Sequence, residues 1–358
     1  MKIYIITIHC IHNFGSVYQS YGLVKYLCDQ GYDACIIDYR PFYYNKGRNV
    51  IKKFAGIALN YFSYKRQHRL YEQFIKTSLP KTDKVYTSIE QLKELALEDA
   101  IFIAGGDQLW NNFHPCGRDD AYKLTFVPNR NKLAYGTSMG RNTFTQDEIN
   151  SLIDKVNDYR SIGLREQSTV GLLKPFASPP VYHAADPVLL LEPEDYHIFI
   201  GNKRLIKEPY LVMYLADKSQ LLDRTIEYVA RTKGLKIVHV CGFRKKCRCD
   251  YFLKSTGPKE LLNLIYYSDF VVSASFHATL FSILLQKQFC TLLPEAGTNT
   301  RIEDLLAYYG LSNRIIRKQE ELNNLDIDVN FSETTALKNK HVDSSKFMLL
   351  STIEQLLS

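Results

Sequence analysis

The chain has 358 residues, with 45 Lys and Arg against 38 Asp and Glu, for a net charge of +7. It is 46% hydrophobic and 23% charged, a composition that excludes disordered and collagen-like classes, and the length suits two domains that each bury a core. No apolar run reaches the roughly 20 residues of a membrane span, and the opening Met1-Lys2-Ile3-Tyr4-Ile5-Ile6-Thr7-Ile8 lacks the length and cleavage site of a signal peptide. It reads as the first buried strand of a cytoplasmic protein.

Apolar, strand-like runs alternate with helix-length amphipathic runs. The spacing predicts strands at 3–8, 34–38, 100–104, 132–136, 159–164 and 181–184, with helices at 16–30, 67–76, 89–96, 146–157 and 167–174. A polar, proline-bounded stretch at 192–209 precedes a second series. That series has strands at 210–215, 236–240, 270–273 and 289–293, and helices at 219–232, 258–267, 278–286 and 301–309. Residues 337–358 read as a last helix. This alternation predicts two successive parallel α/β sheets, one domain over 1–195 and another over 205–330, with a cleft between them.

The charge is uneven. Between Pro41 and Lys76 lie eight basic residues (Lys46, Arg48, Lys52, Lys53, Lys65, Arg66, Arg69, Lys76) and one acid, Glu72, an excess equal to the net charge of the whole chain. Phe42, Tyr43, Tyr44, Phe54, Tyr61, Phe62, Tyr64, Tyr71 and Phe74 interleave with them. Such a segment suits an anionic membrane face, and equally a solvated amphipathic helix; no motif for nucleic acid accompanies it. Cys241, Cys247 and Cys249 cluster among basic residues at spacings that do not match a zinc site, and the other five cysteines read as reduced core thiols.

In parallel sheets ligands bind beyond the carboxyl ends of the strands, so the residues there carry the functional reading. After the first strand comes His9-Cys10-Ile11-His12-Asn13-Phe14-Gly15-Ser16. It forms either an anion-friendly helix start or a plain capped turn, and it is not a G-x-G-x-x-G dinucleotide loop. After 101–104 come Gly105-Gly106-Asp107-Gln108-Leu109-Trp110-Asn111, where the glycines admit a ligand to the backbone and Asp107 serves as a base, a hydroxyl ligand or a helix cap. The strand 159–164 runs into Arg165-Glu166-Gln167-Ser168, whose arginine fits a carboxylate or phosphate ligand, or an ion pair with Glu166 or another acid. In Ser273-Ala274-Ser275-Phe276-His277-Ala278-Thr279, His277 stands at a strand-to-helix junction suited to phosphate binding and proton transfer. Gly297-Thr298-Asn299-Thr300-Arg301 offers a second basic helix entry.

Taken together, several segments resemble the polysaccharide pyruvyl transferase family: Asn13-Phe14-Gly15-Ser16-Val17-Tyr18-Gln19-Ser20-Tyr21, Gly105-Gly106-Asp107-Gln108-Leu109-Trp110-Asn111, Ala134-Tyr135-Gly136-Thr137-Ser138-Met139-Gly140, Arg165-Glu166-Gln167-Ser168, Asp186-Pro187-Val188-Leu189-Leu190 and Ser275-Phe276-His277-Ala278-Thr279-Leu280-Phe281-Ser282. The resemblance implies a glycosyltransferase-B-like fold of two Rossmann-like lobes, with an acceptor side in 1–195, a donor side in 205–330 and a C-terminal helix at 337–358. It also implies transfer of a pyruvyl group from phosphoenolpyruvate to two hydroxyls of a sugar, giving a cyclic ketal and phosphate. Two positions depart from the family's pattern: Gly106 stands where Ser is frequent, and Ala278 where Gly is usual.

On that footing the donor would meet Arg165, His277, Ala278, Thr279 and Arg301, with His277 as general acid and Asp107 as general base. The acceptor would meet His9, His12, Asn13, Gly106, Asp107 and Gln108. No metal or cofactor beyond the phosphoenolpyruvate donor is expected. If the acceptor is lipid-linked, the basic segment 41–76 would hold the enzyme at the inner face of the cytoplasmic membrane. The competing expectations are a nucleotide-sugar glycosyltransferase of the same fold and a non-catalytic sugar-binding relative.

Overall fold

The structure, a computed structural model, describes residues 1–46, 54–128, 130–242, 244–293, 299–325 and 327–358. The chain forms two compact units, one of Met1–Arg48, Ile75–Leu191 and Lys338–Ser358, the other of Asn49–Phe74 and Glu192–Leu337.

The first unit holds β1 (Lys2–Ile6), β2 (Ala34–Ile36), β3 (Ala100–Gly105), β4 (Lys132–Thr137), β5 (Ile162–Leu164) and β6 (Val181–His183), all parallel, in the order β2-β1-β3-β4-β5-β6. Strands β1 and β3 are buried almost throughout, as expected of a sheet covered on both faces. The order reverses between β1 and β3, so a crevice opens at the carboxyl ends of those two strands.

The second unit holds β7 (Tyr210–Tyr214), β8 (Lys236–Val240), β9 (Tyr251–Leu253), β10 (Phe270–Ser273), β11 (Phe289–Leu292) and β12 (Ile315–Ile316), again all parallel, in the order β12-β11-β10-β7-β8-β9. Counted from β7 this is the 3-2-1-4-5-6 order of a Rossmann sheet, with its switch point between β7 and β10. All ten expected strands are present; β9 and β12, of three and two residues, are too short to show in a periodicity.

The expected division near residue 200 is crossed twice. The helix Phe54–Ser78 contributes its residues up to Phe74 to the second unit. There Phe74 packs on Phe199 (ring centroids 5.0 Å apart), Tyr71 is buried, and Leu70 lies so close to Gly257 that a β-carbon at 257 would stand 2.6 Å from Leu70 Cβ. The last helix, Ser332–Leu357, begins in the second unit and from Lys338 onward belongs to the first. In the first unit Ser345 Oγ accepts a hydrogen bond from the Ala185 amide at 2.9 Å, and the hydroxyls of Thr352 and Ser161 lie 3.1 Å apart.

One backbone approach fixes the strand ends of the first unit. The helix Phe14–Asp29 presents Gly22 to the carbonyl of Pro187, and Gly136, at φ +64° where the β4–β5 register shifts, faces the Pro187 ring. A β-carbon would stand 2.8 Å from the Pro187 carbonyl carbon at position 22, and 2.8 Å from Pro187 Cδ at position 136. Gly22→Ala would add about 1 kcal/mol of helix propensity, yet overpacking against rigid backbone costs about 1–3 kcal/mol. We expect a net loss of stability in chemical denaturation, and a stabilised variant would show that the approach is loose.

Candidate functional site

At the crevice of the first unit the backbone turns sharply after β3. Gly106 and Asp107 both adopt left-handed conformations, at φ +70° and +51°. Asp107 is buried, its Oδ2 accepts from the Ser16 hydroxyl, its Oδ1 accepts from the Gln108 amide at 2.8 Å, and its carbonyl accepts from the Ser138 amide at 2.8 Å. The loops after β3 and β4 and the start of the helix Phe14–Asp29 are thereby joined at one residue, the first and last through its carboxylate and the β4 loop through its carbonyl. Gly106 packs against Gln19, whose amide nitrogen lies within hydrogen-bonding distance of Thr7 Oγ1, the Ser16 carbonyl and Ser20 Oγ. Ser16, a candidate helix cap from the sequence, instead supports Asp107, and Gln19 is a support that sequence reasoning did not single out, although both lie in the quoted family segment.

Two acceptor assignments at this edge change once the partners are visible. His9 is fully buried, with Nε2 3.0 Å from Asp38 Oδ1 and Nδ1 3.3 Å from the Thr7 carbonyl, so it braces the sheet and does not face an acceptor. Burial alone would raise the Asp38 carboxyl, but hydrogen bonds from His9, Arg40 and Lys81 outweigh it and hold the group well below the usual carboxylate range. Asn13 is the helix cap, its Oδ1 accepting from the amides of Gly15 and Ser16 at 2.9 and 3.2 Å. Gln108 keeps a place beside Asp107, with its Oε1 accepting from Asn111 Nδ2 at 2.7 Å, and His12 is half-buried on the loop after β1.

Arg165, at the end of β5, takes the ion-pair alternative. Its Nη1 donates to Asp186 Oδ2 at 2.8 Å and its Nε to Glu166 Oε1 at 3.3 Å, and all three side chains are almost completely buried. Asp186 also caps the turn at Pro187–Leu190 through Val188 N, 2.9 Å away. Asp107 lies near enough to add to the negative field that holds Arg165 protonated against the desolvation that opposes it. Three carboxylates around one guanidinium leave this crevice acidic, an environment that accepts hydroxyls better than it accepts a phosphate.

At the crevice of the second unit, β10 ends in Ser273 and the helix Phe276–Leu284 begins with His277 in its first turn. His277 is buried, its ring in edge contact with Phe276 at 5.1 Å. The Arg301 guanidinium lies 5.8 Å from the Phe276 ring centroid, so Arg301 and His277 both approach the same phenyl group. Gly297 and Thr298 lie outside the described residues. The Ala278 amide is taken by the Ser275 cap at 3.4 Å, and the Thr279 amide by the Ser275 carbonyl at 3.0 Å. The Thr279 hydroxyl pairs with Thr291 at 3.0 Å. The expected phosphate contacts from 278 and 279 are therefore corrected: the Ser275 cap uses the first amide and the first backbone bond of the helix uses the second.

Two further strand ends in this unit are strained, Leu215 after β7 at φ +52° and Cys241 after β8 at φ +58°, each costing about 1–3 kcal/mol. Cys241 Sγ lies 2.7 Å from Thr256 Oγ1, and Gln67 donates to the Thr256 carbonyl at 3.4 Å, which brings the helix Phe54–Ser78 to this sheet edge. Sequence reasoning had placed this thiol only in a basic loop. Burial pushes the Cys247 thiol up to about 12, and burial with Lys246 and Lys245 nearby lowers His239 to about 4.

The comparisons with known proteins agree with this architecture. The profile of the polysaccharide pyruvyl transferase family matches residues 13–294, and the chain belongs to that family. It is a transferase of polysaccharide biosynthesis that acts on a saccharide acceptor. No curated protein matches the sequence. Among solved structures, the UDP-GlcNAc 2-epimerase of Methanocaldococcus jannaschii is 11% identical with a TM-score of 0.55, covering 98% of this chain and 99% of its own. That of Neisseria meningitidis is 10% identical with a TM-score of 0.54, covering 99% and 100%. That of Rickettsia bellii is 12% identical with a TM-score of 0.54, covering 99% and 97%. At such identities the likeness is one of fold, the two Rossmann-like lobes of the glycosyltransferase-B class.

The buried network sets a direct test. Arg165→Ala would strand Glu166 and Asp186 without their cation, a loss of about 3–5 kcal/mol, whereas Arg165→Lys would lose less. Equilibrium denaturation measures both, and an alanine variant as stable as the parent would show that Arg165 does not carry these acids.

Proposed function

We propose that the enzyme transfers the pyruvyl group of phosphoenolpyruvate to two hydroxyls of one sugar residue, forming a cyclic ketal and releasing inorganic phosphate. The observation that carries this reading is His277 in the first turn of a helix at the switch point of the second unit, with Arg301 and His277 both close to the Phe276 ring. The donor bears a carboxylate and a phosphate, and this is a place where a cation, an imidazole and a helix start favour anions.

In this reading His277 supplies the proton that converts the methylene carbon of the donor to a methyl group. The adjacent carbon becomes electrophilic and a first sugar hydroxyl adds to it, losing its proton to Asp107. Phosphate then leaves with its bonding electron pair as the second hydroxyl closes the ring. Of the two hydroxyl protons, one balances the new C–H bond and the other leaves with phosphate. Asp107 suits the base role because Ser16 and Gln108 hold its carboxylate in one orientation. Arg165 acts as a positioning residue, holding Glu166 and Asp186 at the neighbouring strand end. Fixed positive charge beside the leaving phosphate is the larger electrostatic contribution. No further cofactor enters the scheme.

Attachment to the inner face of a membrane belongs to the same proposal. No described helix is long and apolar enough to cross a membrane. The helix Phe54–Ser78 exposes Phe62 at 84%, with Tyr61, Lys65 and Arg69 also exposed, while Arg66 is committed to Glu260 and the Ser255 carbonyl. Arg48, Lys52 and Lys53 lie outside the described residues. Co-sedimentation with vesicles rich in anionic lipid should fall on replacing Phe62, Lys65 and Arg69 together by Ser, Gln and Gln. Unchanged binding would remove this helix face from the membrane proposal.

Phosphate release from phosphoenolpyruvate, measured with a panel of galactosides, mannosides and N-acetylhexosamine glycosides, tests the reaction. Release should depend on the acceptor and fall at least 100-fold in His277→Ala, the lower end of what general acid catalysis contributes being about 10²-fold. If phosphoenolpyruvate does not bind in calorimetry while UDP-GlcNAc raises the melting temperature, the donor is a nucleotide sugar.

A further inference from the structure

The loops that follow β3 and β4 carry a feature that the pyruvyl transfer chemistry leaves unused. Phe113 is 72% exposed, yet its ring is not loosely placed. The guanidinium carbon of Arg141 lies 4.5 Å from the Phe113 centroid and 4.2 Å from that of Phe144, so Arg141 is shared by both rings. Arg141 is itself fixed, donating to the Thr143 carbonyl at 2.5 Å and pairing with Glu148, whose other oxygen closes the capping box of the helix Gln146–Val156.

The backbone of Phe113 is tied to the carboxylate at the strand end by three hydrogen bonds in series. Phe113 N donates to Asn111 Oδ1 at 3.1 Å, Asn111 Nδ2 donates to Gln108 Oε1 at 2.7 Å, and Gln108 N donates to Asp107 Oδ1 at 2.8 Å. Gly140, at φ +77°, lets the second loop close on the first, since a β-carbon there would stand 2.6 Å from Asn111 Cγ.

Single exposed apolar side chains are ordinary and need no explanation. This one differs in being held by a cation, at the carboxyl edge of a parallel sheet, on a chain of amides that ends at Asp107. A fixed aromatic ring whose backbone is linked through side-chain amides to a strand-end carboxylate suits a pyranose, whose C–H face stacks on a ring while its hydroxyls take hydrogen bonds. The geometry points to Phe113 as a stacking platform for a pyranose ring of the acceptor, with Arg141 as the residue that positions it. The inference rests on the saccharide acceptor of the proposed reaction and adds the place where the sugar is gripped.

Saturation-transfer NMR on the full chain without phosphoenolpyruvate, using methyl galactosides, methyl mannosides and N-acetylhexosamine glycosides as probes, tests the platform apart from turnover. The parent and Phe113→Trp should transfer saturation to the C–H protons of one sugar face. Phe113→Ala should bind about tenfold more weakly at an unchanged melting temperature. In phosphate-release assays the same variant should raise the acceptor KM about tenfold and leave the donor KM in place. Equal saccharide affinity in Phe113→Ala, or binding of no probe by the parent, overturns the platform. Saccharide binding that depends on Phe113, with no phosphate release under any condition, supports the platform and strikes the donor reading instead.

Discussion

A parallel sheet covered by helices on both faces has room for polar side chains only where its strands end. The central strands of both units obey this constraint, and the interior exceptions, His239 of β8 and Thr291 of β11, have partners in the Lys246 amide and the Thr279 hydroxyl. The interior positions of β1, β3, β7 and β10 are apolar and buried, while Asp107, Arg165, Glu166 and His277 all lie within four residues after a strand end. In each unit the strand order reverses once, and the residues at that reversal, Asp107 in the first and His277 in the second, are those with the most distinctive surroundings. The chemistry is thus placed by topology before any individual side chain is considered.

What each edge can bind follows from its charge. In the first unit Asp107, Glu166 and Asp186 gather around Arg165, so the guanidinium is neutralised by its neighbours and negative charge remains. Desolvating these groups is tolerable only because each acid is matched to a donor: Arg165 for Glu166, Arg165 and Val188 N for Asp186, Ser16 and Gln108 for Asp107. A multiply charged donor would meet repulsion there, whereas sugar hydroxyls would find acceptors. In the second unit the strand-end groups of the crevice are an imidazole and a guanidinium that both approach one phenyl ring.

The strand–helix alternation, the sheet class and the strand-end loops were legible in the sequence because each is a local pattern of apolar spacing and turn residues. Partner identity was not. That His9 meets Asp38, or that Arg165 is held by Asp186 from the next strand end, depends on which strands lie side by side, and periodicity carries no information on that. Capping was half legible: Asn13 before Gly15 suggested a cap, but the use of the Ala278 and Thr279 amides by Ser275 is visible only once the helix start is built. The helix Phe54–Ser78 was legible only over its last part. Its assignment to the second unit rests on Leu70, Tyr71 and Phe74 finding cover there, a tertiary fact.

The two departures from the family's pattern have physical readings of different kinds. At position 106 the backbone is left-handed and a β-carbon would overlap Gln19 Oε1, while the nitrogen of that amide is already engaged with Thr7, Ser16 and Ser20. A serine there would need Gln19 to abandon those partners, so glycine at 106 and glutamine at 19 form a coupled choice. At position 278 the residue is completely buried, so the added methyl is taken up by packing within the protein. The first departure bears on the loop that carries Asp107; the second is absorbed in the buried start of the helix that carries His277.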